Sequence, residues 1–242
     1  MRYGIFSDIH SNLEAFEAVI AEYKKESIGE YLCLGDVVGY AADPKECIKR
    51  VMALALITVA GNHDWAAVDL FSTEYFNQPA REAISWMRPL LDNKDKSFLK
   101  SLEPVYHNVD LALAHGTLDH PQDFNYMTDS FIAEGSFKRM QRDICFVGHT
   151  HIAGVFIQDK DGCTRYDESD YIQLKKGNRY IVNVGSVGQP RDGNPRAAYC
   201  VYDSQKREVR IKRIGYDIKA AREKIFAAGL PAFLGNRLTD GR

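Results

Sequence analysis

Apolar and polar positions alternate through the first sixty residues in two rhythms. Tyr3 to Phe6 is a short strand-like run. Asn12 to Lys25 follows with helical periodicity, placing Leu13, Phe16, Val19 and Ile20 on one face. Tyr31 to Leu34 is strand-like again, and Pro44 to Met52 is helical with Asp43 placed to cap it. Ala55 to Val59 is a third strand. This β-α-β-α-β order predicts a parallel sheet with helices packed on it. Gln78 to Leu91 and Lys94 to Leu102 read as two helices, each with one exposed face. Leu111 to Ala114 and Ile144 to Val147 are short apolar strands around a helix near Asp129 to Gln141. Beyond them Val155 to Gln158, Tyr180 to Val184, Ala198 to Tyr202 and Val209 to Ile214 read as strands joined by short turns. They predict a second, mostly antiparallel or mixed sheet. Two helices, near Ile218 to Ala227 and Pro231 to Leu238, close the chain, either covering the core or meeting a second copy in a homo-oligomer.

Composition narrows the class. The 242 residues show no repeat, low-complexity tract or linker, so one α/β domain over residues 1–242 is expected, with its C-terminal helices over about 217–242. Apolar residues make up 45% and charged residues 26%, enough for a core without disulfide or structural-metal staples. The net charge of −2 argues against a general nucleic-acid or membrane-surface binder and leaves a local basic pocket open. No stretch approaches the roughly 18 apolar residues of a membrane span. The N-terminus lacks the apolar run of a signal peptide. The five cysteines are odd in number, scattered and without a C-x-x-C pair, and Cys33 and Cys145 sit inside apolar runs. A reduced, cytoplasmic protein is the expectation.

The polar residues fall where the strands end. Asp8 and His10 follow the first strand, Asp36 the second, and Asn62, His63 and Asp64 the third. His115 follows the Leu111 strand; His149 and His151 follow the Ile144 strand. Ligands of open α/β sheets bind at the carboxyl ends of strands, so one sheet edge is expected to collect this set. In Asp8-x-His10 and His149-x-His151, alternate residues of an extended segment point the same way, as two ligands of one metal or of adjacent metals must. Five of the seven histidines belong to the set, which leaves only His107 and His120 as structural or loop residues. Imidazole, carboxylate and amide oxygen without thiolate suit Mn, Fe, Zn, Co or Ni. The ligands are too many for one catalytic metal with an open position. Two divalent ions sharing a carboxylate fit better, and such a pair clamps the attacking and leaving oxygens of an in-line phosphoryl displacement.

Asp8-x-His10, Gly35-Asp36, Gly61-Asn62-His63-Asp64, His115 and Gly148-His149-x-His151, in this order, resemble the signature blocks of the calcineurin-like metallophosphoesterase superfamily. Asn183 to Arg191 extends the match toward its small bacterial and archaeal phosphodiesterase-like branch. The resemblance implies a two-sheet β-sandwich flanked by helices, an αββα arrangement. It implies that Asp8, His10 and His151 hold one metal, that Asn62, His115 and His149 hold the other, and that Asp36 bridges them. His63 would then stand beside the metals as the proton donor to the leaving oxygen, oriented by a hydrogen bond to Asp64, while a bridging hydroxide attacks.

Substrate contacts are less sharply drawn. Arg191, in the Gly188-Gln189-Pro190-Arg191 loop, reads either as a grip on a second phosphate or as a loop arginine paired with Asp192. Tyr40, Trp65, Phe124 and Tyr126 flank the motifs and read equally as stacking platforms for a nucleobase or as packing. Asn183 reads as a polar group closing a turn. The leading expectation is hydrolysis of a phosphodiester or phosphoanhydride of a small molecule or nucleotide, a diadenosine polyphosphate among them. A protein Ser/Thr phosphatase is the alternative enzyme. In that branch Gly-Asp leads into Asp-Arg-Gly, whereas here Val37-Val38-Gly39-Tyr40 follows and the phosphate-binding arginine is missing. A non-catalytic scaffold, as in retromer, is the third reading; such relatives replace the histidine that stands here at 63.

Overall fold

The computed structural model describes residues 1–54 and 57–242. Along them run strands β1 (Arg2–Phe6), β2 (Glu30–Cys33), β3 (Ile57–Thr58), β4 (Val105–His107), β5 (Ala112–Ala114), β6 (Ile144–Val147), β7 (Gly154–Gln158), β8 (Thr164–Asp167), β9 (Tyr171–Gln173), β10 (Arg179–Asn183), β11 (Ala197–Asp203) and β12 (Glu208–Ile214). The helices are α1 (Leu13–Tyr23), α2 (Pro44–Ala53), α3 (Asn62–Ala67), α4 (Gln78–Met87), α5 (Asn93–Lys100), α6 (Ser130–Arg139), α7 (Ile218–Ala227) and α8 (Ala232–Asn236). The expected third strand begins at residues 55–56, outside the described residues; its described part is β3.

The strands form two six-stranded sheets, ordered β3-β2-β1-β11-β12-β9 and β4-β5-β6-β10-β7-β8. β1, β2 and β3 are parallel, as expected, and so are β5, β6 and β10. The division between sheets departs from the expectation. β11 and β12 do not join β7 and β10; β11 pairs antiparallel with β1 and carries β12, and β9 beyond it, into the first sheet. The site is therefore built from the rims of two sheets rather than from one edge of one sheet.

Strand alternation explains the layering. Ile5, Leu32 and Leu34 of the first sheet meet Leu113, Phe146 and Val182 of the second in the central core. Phe6 and Cys33, one residue out of phase, face outward onto Phe16 and Val19 of α1 and Cys47 and Ile48 of α2. On the far side Cys145 and Ile181 pack under Ala133 and Phe137 of α6. α1 buries Ala15, Phe16, Val19 and Tyr23, a stripe rotated from the expected one, with Leu13 and Ile20 only partly covered. Tyr23 explains the rotation: its hydroxyl donates to the carbonyls of Ile5 (2.9 Å) and Cys200 (3.1 Å), pinning the helix across β1 and β11. Asp43 precedes α2 but makes no side-chain cap; its carboxylate takes Lys224 Nζ at 2.7 Å and ties α2 to α7. Leu230, Leu234 and Leu238 join the same outer core, so the C-terminal turns cover it. Among the described residues no helix is long and apolar enough to cross a membrane.

Candidate metal centre

The loops after β1 and β2 run side by side, through Asp8 N to Gly35 O, His10 N to Asp36 O and Ser11 N to Val37 O, each 3.0 Å. The loop after β10 stitches this rim to the second sheet, with Val187 N donating to Ser7 O and Gly188 N to Asp8 O at 2.9 Å. Asn183 holds the neighbouring turn, donating to Gly148 O (2.7 Å) and Thr150 Oγ1 (2.9 Å), in keeping with its structural reading. The rims thus bring Asp8, His10, Asp36, Asn62, His63, His115, His149 and His151 together, all buried. Asp8, His10, Asp36, His149 and His151 each take a left-handed backbone conformation, φ 49–67°. Such conformations are costly for residues with a side chain, and they concentrate where surrounding structure enforces a functional geometry.

Each carboxylate is pinned by one oxygen and presents the other. His149 N donates to Asp8 Oδ2 (3.0 Å) and His63 N to Asp36 Oδ1 (2.9 Å). Asp36 Oδ2 then lies 3.5 Å from His10 Nε2 and 3.2 Å from His115 Nε2, and Asp8 Oδ1 lies 3.2 Å from His151 Nε2. The imidazoles are oriented the same way. His10 Nδ1 faces Val38 O (3.0 Å), His115 Nδ1 faces Leu34 O (2.6 Å) and His151 Nδ1 faces Gln189 O (2.5 Å). A carbonyl only accepts, so Nδ1 carries the proton and Nε2 of the neutral ring offers a lone pair. Two such lone pairs, on His10 and His151, meet at 3.0 Å. His149 Nδ1 approaches His115 Nε2 at 3.1 Å. Asp8 Oδ1 and Asn62 Oδ1 are buried with no hydrogen-bond partner among the described residues. Acceptors converging on acceptors require positive charge between them. Without a cation the cluster can gain it only as a proton: burial opposes this at His115, yet the charges of Asp36 and Asp8 push that imidazole up to about 9. The donor set fits metal ions in two groups, Asp8-His10-His151 and Asp36-His115-His149, linked by a third, His10-Asp36-His63, that shares a residue with each.

Asp64 departs from its expected role. Its carboxylate accepts from Val38 N (3.2 Å) and Gly61 N (3.1 Å) rather than from His63, so it braces the backbone of two site loops. Burial and the nearby charge of Asp36 push its carboxyl up to about 7. It makes no hydrogen bond to His63 among the described residues. Burial instead holds the His63 imidazole well below its ordinary range, although Asp36 opposes. His63 lies between Tyr40 and Phe76, ring centroids 4.6 and 4.7 Å away, and its Nδ1 has no partner among the described residues.

The remaining expected contacts divide. Tyr126 stacks on His149 at 3.9 Å, and Tyr40 stands 4.5 Å from His10. Arg191 lies over the Tyr40 ring and donates to Gln189 Oε1 (2.8 Å) and the Tyr40 hydroxyl (3.2 Å); Asp192 pairs instead with Arg213. Trp65 is packing: it meets Phe124 edge-on and donates to Leu102 O. His107 lies on β4, and His120 opens a short 3₁₀ turn (Pro121–Asp123). Sequence reasoning missed Phe71, Tyr75 and Phe76, which wall a cavity beside His63; their clustering just past the Asn62 motif was the available signal. It also missed Arg237, which stands close enough to Arg191 to feel its charge. Burial and the Arg191 charge lower its guanidinium to about 10.

Two helix-flanked mixed sheets with this cluster at their joint rim define the metallophosphoesterase fold. Residues 1–207 match the calcineurin-like phosphoesterase superfamily domain, and the chain belongs to that superfamily. It is 38% identical over 243 residues to an uncharacterized protein of Methanocaldococcus jannaschii, covering 99% of this chain and 98% of that one. The crystal structure of a metallophosphoesterase from Sphaerobacter thermophilus is 36% identical, superposes with a TM-score of 0.89 and covers 100% and 99% of the two chains. A hypothetical protein from Pyrococcus horikoshii, 17% identical, shares the fold at a TM-score of 0.80 over 100% and 98% of the chains.

Proposed function

We propose that this protein hydrolyses a phosphodiester or phosphoanhydride bond of a small molecule or nucleotide, a diadenosine polyphosphate among them, with two divalent ions. Asp8, His10 and His151 would hold one ion, Asn62, His115 and His149 the other, and Asp36 would lie between. The observation that carries this reading is the convergence of Nε2 lone pairs and free carboxylate oxygens at 3.0–3.5 Å, which bound cations would reconcile. Bound ions would activate water as the nucleophile and offset charge on the phosphoryl oxygens.

The chain's own residues supply the rest. Burial favours the neutral form of His63 before substrate binds. A phosphoryl group beside it replaces water with negative charge, which favours its protonated form and lets it hand a proton to the leaving oxygen. Asp64 and the backbone amides it holds keep the Asp36 and Asn62 loops in register. Arg191 has only neutral partners among the described residues, Gln189 and Tyr40, and so retains its charge for a second phosphate.

Turnover of bis-p-nitrophenyl phosphate with added manganese tests the reading, alongside metal content. Wild-type protein is expected to bind two ions and turn over. His63→Ala should bind two ions and lose at least about a hundredfold in kcat, the scale of a general acid. No turnover with any divalent metal favours the scaffold reading, and full activity in metal-loaded His63→Ala removes the proton-donor role.

A further inference from the structure

Beside the cluster lies a cavity of about 440 Å³ whose floor includes Asn62, His63 and His149. Its walls are aromatic. Phe71 packs against Phe76 and Phe124 with ring centroids 6.2 and 5.1 Å apart. At its mouth Tyr75 is 88% exposed and Tyr126 50% exposed. Side chains so open to water contribute little to the core, and here both line a cavity that leads to the site. Tyr126 already shows the geometry of stacking, lying at 19° to the His149 ring. Polar side chains line the same space. Asn77 Oδ1 is committed to Ala80 N at 3.0 Å, which leaves its amide N–H groups for another partner. Asp123 and Asn125 also line the cavity, and their side chains make no hydrogen bond within the described residues.

We propose that this cavity binds the nucleobase of the substrate, with the ring against Tyr75 and Tyr126 and its polar edge toward Asn77, Asp123 and Asn125. The chemistry selects this occupant. Aromatic walls favour a planar π-face, and three polar side chains with free hydrogen-bonding groups favour a ring with hydrogen-bonding edges over a plain hydrocarbon. The volume lies near the lower end of small-molecule pockets, roughly 300–1,000 Å³, and suits one nucleoside. The proposal rests on the phosphoesterase reading for placing the phosphate at the cluster.

Two measurements test it separately from that reading. Adenosine, which carries no phosphate, is titrated into EDTA-treated protein and followed by saturation-transfer NMR. Transfer to the base protons is expected to exceed transfer to the ribose, and Tyr75→Ala should weaken binding about fivefold or more. In the manganese-loaded protein, kcat/KM for adenosine 5′-(p-nitrophenyl phosphate) is compared with that for methyl p-nitrophenyl phosphate. The ratio should fall roughly five- to a hundredfold in Tyr75→Ala, the scale of one base–aromatic stack, and recover in Tyr75→Phe. An unchanged ratio in Tyr75→Ala, or no transfer from adenosine, overturns the proposal. Adenosine binding by a wild-type protein that hydrolyses neither ester would support the pocket and count against the catalytic reading instead.

Discussion

Alanine at position 39 would disturb the metal centre without altering any of its proposed ligands. Gly39 has φ +116°, and a Cβ built there would lie 2.6 Å from His63 Nδ1 and 2.8 Å from His10 Nδ1. Ordinary contact starts at 3.4 Å, so the two rings would have to withdraw by roughly 0.6–0.8 Å. Metal–ligand distances tolerate only about 0.2 Å. The displaced His10 would no longer reach an ion shared with Asp8 and His151. The backbone conformation would cost about 1–3 kcal/mol for a residue with a side chain. Overpacking against the rings would add about 1–3 kcal/mol. Gly162→Ala separates the two effects, because Gly162 has φ +86° and no described atom within 4 Å of a built Cβ. Urea unfolding should show a larger loss for Gly39→Ala than for Gly162→Ala. Manganese in Gly39→Ala should drop toward one ion per chain, and turnover of bis-p-nitrophenyl phosphate should fall about tenfold or more. Equal stability losses in the two variants, together with full metal content and activity in Gly39→Ala, would refute the steric reasoning.

Chelation should lower the melting temperature, since ligands that bind only the folded state stabilise it by about 4 kcal/mol at a thousandfold excess over Kd. For a chain of this size that corresponds to roughly 8–16 °C; an EDTA-treated protein whose melting does not respond to manganese would count against the metal centre. Asp64→Ala leaves the buried N–H groups of Val38 and Gly61 without their acceptor, at about 1–3 kcal/mol each, while Asp64→Asn keeps one oxygen to accept. Urea midpoints should therefore rank wild type, Asp64→Asn, Asp64→Ala, and the reverse order of the two variants would dismiss the bracing role. Glu26 is held below its ordinary value of 4.5 by the hydrogen bond from Lys212, then by the charge of Lys212 and by Arg2, against burial. A depressed carboxylate stabilises the fold above pH 4.5 and loses that contribution as pH falls through its folded value. Glu26→Gln should thus narrow the difference between urea midpoints at pH 7 and pH 3.5, and an unchanged difference would show that the pair contributes nothing.

The proposed metal ligands were legible because their signal is local. A strand followed at once by Asp-x-His, Gly-Asp or Gly-Asn-His places each donor at a strand end, and parallel β-α-β strands put those ends on one side. Chemistry then disfavoured a thiolate site and favoured two ions over one without any coordinates. The αββα architecture came from the resemblance those same motifs carry, and the fold agrees with it.

Other features depended on partners distant in sequence. Nothing in Ala197–Asp203 says that β11 pairs with β1 rather than with β7 or β10, because the pairing lies in hydrogen bonds and packing between segments nearly 200 residues apart. Asp64 sits beside His63 in sequence, yet the turn into α3 aims its carboxylate at Val38 and Gly61, a choice set by where the β2 loop passes. The aromatic wall of Phe71, Tyr75 and Phe76 and the approach of Arg237 to Arg191 likewise needed the folded chain. By itself the sequence determined which residues are candidates for the chemistry, since donor type and strand-end position are written in consecutive residues. Only the tertiary structure decided which lone pairs face each other, which oxygens stay free and what lines the space beside them, because those are distances between segments that meet only when the two sheets close.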